Sequence, residues 1–314
     1  MSGQKIVVLG TGGTIAGTSA IAGDNIGYAA AQVGVEQLLG AIPGLQAAAR
    51  SALVTEQVAQ IDSKDIDFEV WRALAQRCMH HLADPQVCGL VITHGTDTLE
   101  ETAWFLQRVL NTPKPVVLTC AMRPATALTP DGPQNLLDAV AVVQTPGATG
   151  VLVVAAGEIH GALHVQKVHP YRVQAFSSGD AGALGWVEEG KVRLAQNWPV
   201  APAYKAPDAI VNIASSPQWP SVEIVMSHSG ASGALVDALV RGAVQGIVVA
   251  CTGNGTIHHA LEAALLRAQD AGVRVVRSTR CPEGQVIPKL GDRLPDSNGL
   301  SPVKARVSLV LDLL

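Results

Sequence analysis

The chain lacks several features that mark particular classes of protein. Its 314 residues hold only five cysteines (Cys78, Cys88, Cys120, Cys251, Cys281), an odd and scattered set that favours free thiols over a disulfide framework. There is no excess of basic charge, since the formal net charge is -4, and a nucleic acid partner is therefore not expected. No apolar run approaches the length that spans a bilayer, so a membrane is not expected either.

A secretory leader is not expected from the sequence either. The first apolar segment begins at Ile6, with no basic start and no small-residue cleavage site around it. Together with the free thiols, this pattern predicts a cytoplasmic protein. A periplasmic location stays open, because a chain from which the leader had been cleaved would look the same.

Several catalytic and cofactor motifs are absent as well. Gly10 and Gly12 have the separation of a dinucleotide fingerprint, but Ile15 stands where the third glycine is needed, and no Gly-Lys-Ser/Thr follows. There is no Gly-x-Ser-x-Gly elbow of the α/β-hydrolase kind. The histidine pairs at 80–81 and 258–259 do not have the spacing of metal ligands on a helix. We therefore expect neither an organic cofactor nor a metal.

What the chain does contain is typical of a well-buried α/β protein. Hydrophobic residues make up 48% of it, with 31 glycines and 18 prolines, and the length fits two domains better than one. We predict a larger N-terminal domain over residues 1–194, with a mostly parallel sheet flanked by helices. A proline-rich linker over 195–220 and a smaller C-terminal α/β domain over 221–314 complete the prediction.

Two segments in which a predicted strand leads into a turn carry candidate reactive side chains. The run Ile6–Leu9 predicts a fully buried strand, and the glycine-dense turn after it presents Thr14. A second apolar run over 88–93 leads to Thr96 and Asp97 in a similar turn. In parallel sheets, ligands bind beyond the carboxyl ends of the strands. Both turns are therefore candidate site elements.

Helix boundaries follow from capping patterns. Thr98 and Glu101 form a capping-box pattern that predicts a helix starting at Thr98. The segment beginning at Ser63 predicts a helix running through Met79, with Ser63 as its N-cap. Near the C-terminus, Ser301 and the proline after it predict the start of a last helix or strand-like segment.

Taken one at a time, the candidate residues have ordinary structural explanations. A threonine in a turn usually caps a helix or bonds a neighbouring amide, and Ser63 fits an N-cap. Lys167 would by default be an exposed lysine on a strand, and Tyr28 a partly buried ring in a loop. Asn254 before Gly255 is most often turn chemistry.

In combination these residues match a known family. The segments Gly-Gly-Thr-Ile-Ala-Gly (12–17) and His-Gly-Thr-Asp-Thr (94–98) with Glu-Glu-Thr-Ala (100–103) resemble the two signature motifs of the bacterial-type L-asparaginases. Further matching segments lie at 34–36, 56–63, 121–124, 131–136, 253–255 and 302–307. The resemblance extends over nearly the whole chain.

The resemblance implies a cofactor-free amidohydrolase that converts L-asparagine to L-aspartate and ammonia. Thr14 would attack the side-chain amide to form a covalent intermediate, with help from Tyr28 on a mobile loop. The same comparison implies that Thr96, Asp97 and Lys167 form a second hydroxyl–carboxylate–amine set. Ser63 and Asp97 would hold the α-carboxylate and α-amino group, and Asn254 would lie near a neighbouring subunit's site. Family members are homotetramers built as dimers of dimers.

The implied roles agree with general chemistry. A threonine hydroxyl is a weak nucleophile unless a base takes its proton. A lysine that is neutral at working pH or a tyrosinate would serve, and burial lowers the pKa of a lysine in that direction. The sequence leaves open which threonine attacks first and which base serves it.

Two segments depart from the family pattern. Lys64 stands where relatives commonly carry a glutamine or glutamate that touches the substrate, and its charge would attract the α-carboxylate but repel the α-ammonium. We therefore expect Lys64 to alter the preference among amino-acid amides. The stretch from Cys281 to Ser301 is short, and neither Glu283 nor Asp292 matches the acidic residue that relatives supply across the subunit interface.

Three alternative functions remain at this point. The first is a glutaminase-asparaginase of broad amide specificity, and the second is a non-catalytic amino-acid sensor that keeps the pocket. The third is a subunit that supplies ammonia for amidating charged tRNA, which the negative net charge and the lack of an extra N-terminal domain disfavour.

Overall fold

The computed structural model describes residues 4–21, 23–199, 213, 216 and 218–314. The chain divides into two compact units, Met1–Lys205 and Ala206–Leu314. Most of the predicted linker, 195–220, lies outside the described residues, and its boundaries stay a prediction. Within the described part of the chain, no helix is both long and apolar enough to cross a membrane.

The first unit is an α/β assembly. Its strands are β1 (Lys5–Gly12), β2 (Ala52–Ile61), β3 (Val87–Thr93), β4 (Val116–Thr119), β5 (Val151–Ala155), β6 (Glu158–Gly161), β7 (Gln166–Lys167), β8 (Phe176–Ser177), β9 (Gly185–Glu188) and β10 (Lys191–Leu194). Its α-helices are α1 (Val35–Gly40), α2 (Leu45–Ala48), α3 (Phe68–Leu82), α4 (Leu99–Val109) and α5 (Gly132–Val143). Short 3₁₀ turns lie at Thr14–Ala16, Ser63–Asp65 and Gly179–Ala181.

Eight of these strands form one mixed sheet in the order β10-β9-β6-β5-β4-β3-β1-β2. The five strands from β2 to β5 run parallel to one another, and β6, β9 and β10 extend the sheet by antiparallel pairing. Strands β7 and β8 form a separate two-stranded antiparallel ladder. The predicted fold, a mostly parallel sheet flanked by helices, is confirmed.

Side-chain burial explains why the sequence forms this sheet. Ile6 and Val8 pack into a core cluster with residues of α1, α2 and α5. Val7 and Leu9 face the other side and are equally buried, so β1 is covered on both faces as its unbroken apolar run predicts. By contrast β2 lies at the sheet edge, and its burial alternates along much of its length.

The helix starts differ in part from the sequence prediction. A single helix beginning at Ser63 is wrong: the chain forms a 3₁₀ turn at Ser63–Asp65, is extended at Ile66, and begins α3 at Phe68. The caps are also different, because Asp62 accepts from the Lys64 amide and Asp67 from the Val70 amide. Each aspartate sits one residue before its helical turn, which is where a short oxygen-bearing side chain satisfies free amides.

The second unit contains a three-stranded parallel sheet. Its strands are β11 (Val222–Met226), β12 (Gly246–Cys251) and β13 (Arg274–Thr279), in that order, and its helices among the described residues are α6 (Ala234–Arg241), α7 (His259–Asp270) and α8 (Pro302–Leu313). Ser301 occupies the N-cap position of α8 and a proline its first turn, as predicted, although the Ser301 hydroxyl makes no capping hydrogen bond. The prediction of a smaller α/β unit is confirmed.

Candidate active site

The strand order of the large sheet creates a crevice next to β1. The chain passes from β1 to β2 on one side and then returns to place β3 on the other side of β1. The strand order therefore reverses at β1. Ligands of open parallel sheets bind at such a reversal point, beyond the carboxyl ends of the strands. Gly10 of β1 pairs with Thr93 of β3, which brings the turns after these two strands to the same edge.

Two glycines let these turns touch through their backbones. Gly13 has a positive φ of 79°, and a Cβ at this position would collide with the backbone of Gly95. A Cβ on Gly95 would lie 2.5 Å from Oγ of Ser63 and 3.1 Å from Cα of Gly13. Since Cβ atoms are not found this close to other heavy atoms, only glycine fits at both positions. The contact fixes the spacing between the segments that carry Thr14 and Thr96.

Thr14 is paired with Tyr28. Its hydroxyl Oγ1 lies 2.7 Å from the phenolic oxygen of Tyr28, and Thr14 as a whole is only 7% exposed. The loop that carries Tyr28 returns to the turn after β1 through a pair of backbone hydrogen bonds between Thr18 and Ala29. A nearly buried hydroxyl therefore has a phenol as its direct partner.

Thr96, Asp97 and Lys167 form the second set. The Lys167 Nζ lies 2.8 Å from Oγ1 of Thr96 and 2.6 Å from Oδ1 of Asp97. Thr96 is buried, whereas half of the Asp97 side chain is exposed. The three side chains make a continuous hydroxyl–amine–carboxylate chain at the edge where the crevice lies.

Ser63 connects this turn to the segment after β2. Its Oγ accepts a hydrogen bond from the Asp97 amide at 3.1 Å, and its carbonyl accepts one from the Thr98 hydroxyl at 2.7 Å. Thr98 occupies the N-cap position of α4, so the predicted helix start is confirmed, although its side chain makes no capping hydrogen bond. The Thr98 hydroxyl instead joins two loops of the site through its bond to the Ser63 carbonyl.

Lys64 follows Ser63 but is tied to acidic neighbours. Its Nζ lies 2.8 Å from Asp62 and 3.2 Å from Asp65, and 60% of its side chain is exposed. The hydrogen bonds that Lys64 donates to the Asp62 and Asp65 carboxylates raise its pKa above the ordinary value. The lysine therefore stays charged, with two carboxylates beside it.

Asn254 and Asp292 lie in the second unit and bond within it. The Asn254 side chain donates to the Ile287 carbonyl at 3.1 Å and accepts from the Ile287 amide at 2.7 Å. Asp292 lies 2.7 Å from Nη2 of Arg277 and is 15% exposed. A backbone hydrogen bond from Lys289, together with Arg277, lowers the pKa of this carboxyl group. Both side chains thus hold the segment between Cys281 and Ser301, and the substrate-binding role of Asn254 stays a prediction.

Glu100 and His94 lie in segments that resemble the family motif, but the sequence assigned neither of them a role of its own. The Glu100 carboxylate accepts a hydrogen bond from the Lys167 amide, and so holds the two-residue strand on which this lysine lies. His94, at the end of β3, is fully buried and bonds to both Gly95 and Thr102. Among the described residues, no group of three or more histidine, cysteine, aspartate or glutamate side chains is arranged to hold a metal ion.

Burial of His94 has a consequence for stability. Removal from water lowers the pKa of its imidazole from 6.5 to about 4. Between these two pH values His94 binds a proton in the unfolded chain but not in the folded protein. The contribution of neutral His94 to the free energy of unfolding is therefore fully present above pH 6.5 and is lost as the pH drops towards 4. We expect this residue alone to cost about 3 kcal/mol of unfolding free energy over that range.

Chemical denaturation at several pH values measures this effect. His94→Asn, which does not titrate, is the control, and its unfolding free energy should decline less steeply with acid than that of the unaltered chain. Parallel pH dependences for the two proteins would contradict the prediction.

Comparison with known proteins identifies the family. The family model described as "Asparaginase, N-terminal" matches residues 5–200, and the one described as "Glutaminase/Asparaginase C-terminal domain" matches residues 221–313. The chain belongs to the asparaginase family. The resemblance noted in the sequence is thereby confirmed.

Similar asparaginases and glutaminase-asparaginases cover almost the whole chain. L-asparaginase 2 of Bacillus subtilis is 38% identical over 314 residues, which are 98% of this chain and 82% of that protein. A glutaminase-asparaginase of Pseudomonas fluorescens is 37% identical and covers 98% of this chain and 86% of its own length. A solved structure described as a probable cytoplasmic L-asparaginase of Campylobacter jejuni has a TM-score of 0.92 at 39% identity, over 99% of this chain and 95% of that one.

Proposed function

We propose that this chain hydrolyses the side-chain amide of L-asparagine to give L-aspartate and ammonia, through an ester on Thr14. The observation that carries the proposal is the contact between Gly13 and Gly95, each of which precedes a threonine with its own partner: Tyr28 for Thr14, and Lys167 for Thr96. Membership of the asparaginase family supports the same reaction.

The first half of the reaction forms the ester. The Thr14 oxygen attacks the amide carbon, and its proton passes to a base, for which the phenol of Tyr28 at 2.7 Å is the direct route. The base transfers this proton to the amide nitrogen, the carbon–nitrogen bond breaks, and ammonia leaves. Backbone N–H groups of the glycine turns are suited to bind the developing oxyanion.

The second half releases the acid. A water molecule attacks the ester carbon, and its proton passes through the Thr96 hydroxyl, which is hydrogen-bonded to Nζ of Lys167. The proton is returned to the Thr14 oxygen as its bond to the ester carbon breaks, and aspartate leaves. The Asp97 carboxylate and the Ser63 hydroxyl are proposed to bind the α-amino group and the α-carboxylate of the substrate.

A broader amide specificity is the second candidate, because a relative 37% identical over 98% of the chain is named a glutaminase-asparaginase. Ammonia release from asparagine and from glutamine, measured in parallel on the purified protein, separates the two. Release from neither amide would indicate a protein that binds without turnover, and would refute the proposed function.

Lys64 is proposed to tune this specificity. Its charge is balanced by Asp62 and Asp65, so removing it leaves two carboxylates near the segment that follows Ser63. We expect Lys64→Gln to change KM for asparagine and glutamine by unequal factors while kcat changes little, because charge at the edge of a site affects binding more than chemistry.

Steady-state kinetics on both amides test this prediction, with Lys64→Arg as the matched variant that keeps the positive charge. Equal KM values for the glutamine variant and the unaltered enzyme, on both substrates, would show that the substitution at this position has no role in specificity.

Assembly and location complete the proposal. We propose a homotetramer built as a dimer of dimers, consistent with the exposed apolar side chains of Ile287 and Leu290 on the segment before α8. A cytoplasmic location is supported by five cysteines that all remain free thiols.

A further inference from the structure

His94 lies directly beside the proposed catalytic turn without taking part in either set. It directly follows Thr93, the last residue of β3, and precedes Gly95 and Thr96. The ring is completely buried, so it cannot contact a substrate in the crevice. Its Nδ1 lies 2.7 Å from the Gly95 carbonyl oxygen, and its Nε2 lies 2.9 Å from Oγ1 of Thr102 on α4.

The partners of this ring define where its proton resides. A carbonyl oxygen only accepts, so Nδ1 must carry the hydrogen that is shared with Gly95. The neutral ring then accepts at Nε2 from the Thr102 hydroxyl. The Thr102 oxygen in turn accepts from the indole Nε1 of Trp71 at 2.9 Å, and indole can only donate. All donors in this chain point from Trp71 towards Gly95.

The bond to Gly95 supplies a restraint that Gly95 itself lacks. A glycine has the least restricted backbone of any residue, and here it must be glycine because of its contact with Gly13 and Ser63. A rotation of the peptide after Gly95 would move Thr96 relative to Lys167, which is held separately through Glu100. The buried ring prevents this rotation by anchoring the carbonyl to α4 and, through Trp71, to α3.

We propose that His94 is a positioning residue, fixed as the Nδ1–H tautomer by Thr102, which holds the Gly95 carbonyl and thereby keeps the Thr96 hydroxyl on the Lys167 amine. This inference rests on the proposed amidohydrolase function, since it concerns the alignment of one of its reacting groups. The chain Trp71–Thr102–His94 carries no proton to the substrate in this role.

Two amide replacements separate the two ends of the ring. Asparagine places its amide near the position of Nδ1 and retains a donor for Gly95, whereas glutamine reaches towards Nε2 and leaves Gly95 without one. We expect His94→Gln to lower kcat about 10–100-fold, because a displacement of the order of 1 Å has effects of that size. His94→Asn should recover most of kcat, although both variants bury a neutral amide.

A second pair of variants addresses the other end of the ring. Thr102→Val removes the donor to Nε2 and the acceptor for Trp71, and should lower kcat, while Thr102→Ser should restore it. Thermal unfolding of all four variants identifies any that fails to fold. If one pair, at His94 or at Thr102, contains such a variant, the kcat values of the other pair test the positioning role.

The double variant with Thr96→Val tests the route of the effect. If His94 acts through Thr96, His94→Gln should cost nothing further once the Thr96 hydroxyl is gone. Equal losses for the asparagine and glutamine variants, or the same loss with and without the Thr96 hydroxyl, would overturn the inference. Absence of ammonia release by the unaltered chain would instead refute the proposed function, and is seen before any variant is made.

Discussion

Replacement of Thr14 by alanine is expected to abolish turnover while leaving the fold intact. The hydroxyl is the group that would form the ester, and its loss leaves no atom to take its place, so kcat should fall by about 10⁴-fold or more. Thr14 lies in a 3₁₀ turn, where alanine is tolerated, and the change removes one side-chain hydrogen bond, to Tyr28. The melting temperature should therefore stay close to that of the unaltered chain.

Ammonia release from asparagine measures this prediction, with Thr14→Ser as the matched control. Serine keeps the attacking oxygen and the bond to Tyr28, and should retain far more activity than alanine. Activity of the alanine variant within tenfold of the unaltered enzyme would exclude Thr14 as the nucleophile.

Thr96→Val is expected to have the second-largest effect. Valine has nearly the same shape and keeps the buried position, but it cannot bond to Lys167, whose amine lies 2.8 Å from the threonine hydroxyl. Loss of this proton-transfer path should lower kcat by roughly 10²–10⁴-fold, the range that a positioned acid or base contributes. KM should change much less, because Asp97 and Ser63 remain.

A rapid-quench experiment shows which half of the reaction depends on Thr96. If the Thr96–Lys167 pair activates the water, the valine variant should release one equivalent of ammonia quickly and then slow down, because the ester accumulates. Thr96→Ser should turn over without such a burst. A valine variant with kcat near that of the unaltered enzyme would remove Thr96 from the mechanism.

Local sequence patterns predicted much of the fold because the burial of a strand determines which of its positions are apolar. The unbroken apolar run of β1 reflects a strand covered on both faces. The turns bearing Thr14 and Thr96 could be assigned to one edge because parallel strands share a direction.

The parts of the site that local sequence patterns did not predict depend on long-range contacts and on competition between similar residues. Lys167 lies on a strand of two residues, too short to show a period, and meets Thr96 across 71 positions of the chain. Asp62 and Ser63 are both good N-cap residues, and only the tertiary contacts of Ser63 with Asp97 and Thr98 decide which one caps. Family resemblance, rather than periodicity, brought Lys167 and Tyr28 into the prediction.

The backbone contact between Gly13 and Gly95 limits how this enzyme can be redesigned. Where main chain rests on main chain, no side chain is available whose size could be adjusted to widen or narrow the gap. A longer or shorter amide must then be accommodated by the remaining walls, such as the Tyr28 loop and the turn at Ser63–Asp65. Libraries for altered specificity should therefore vary those walls and leave both glycines untouched.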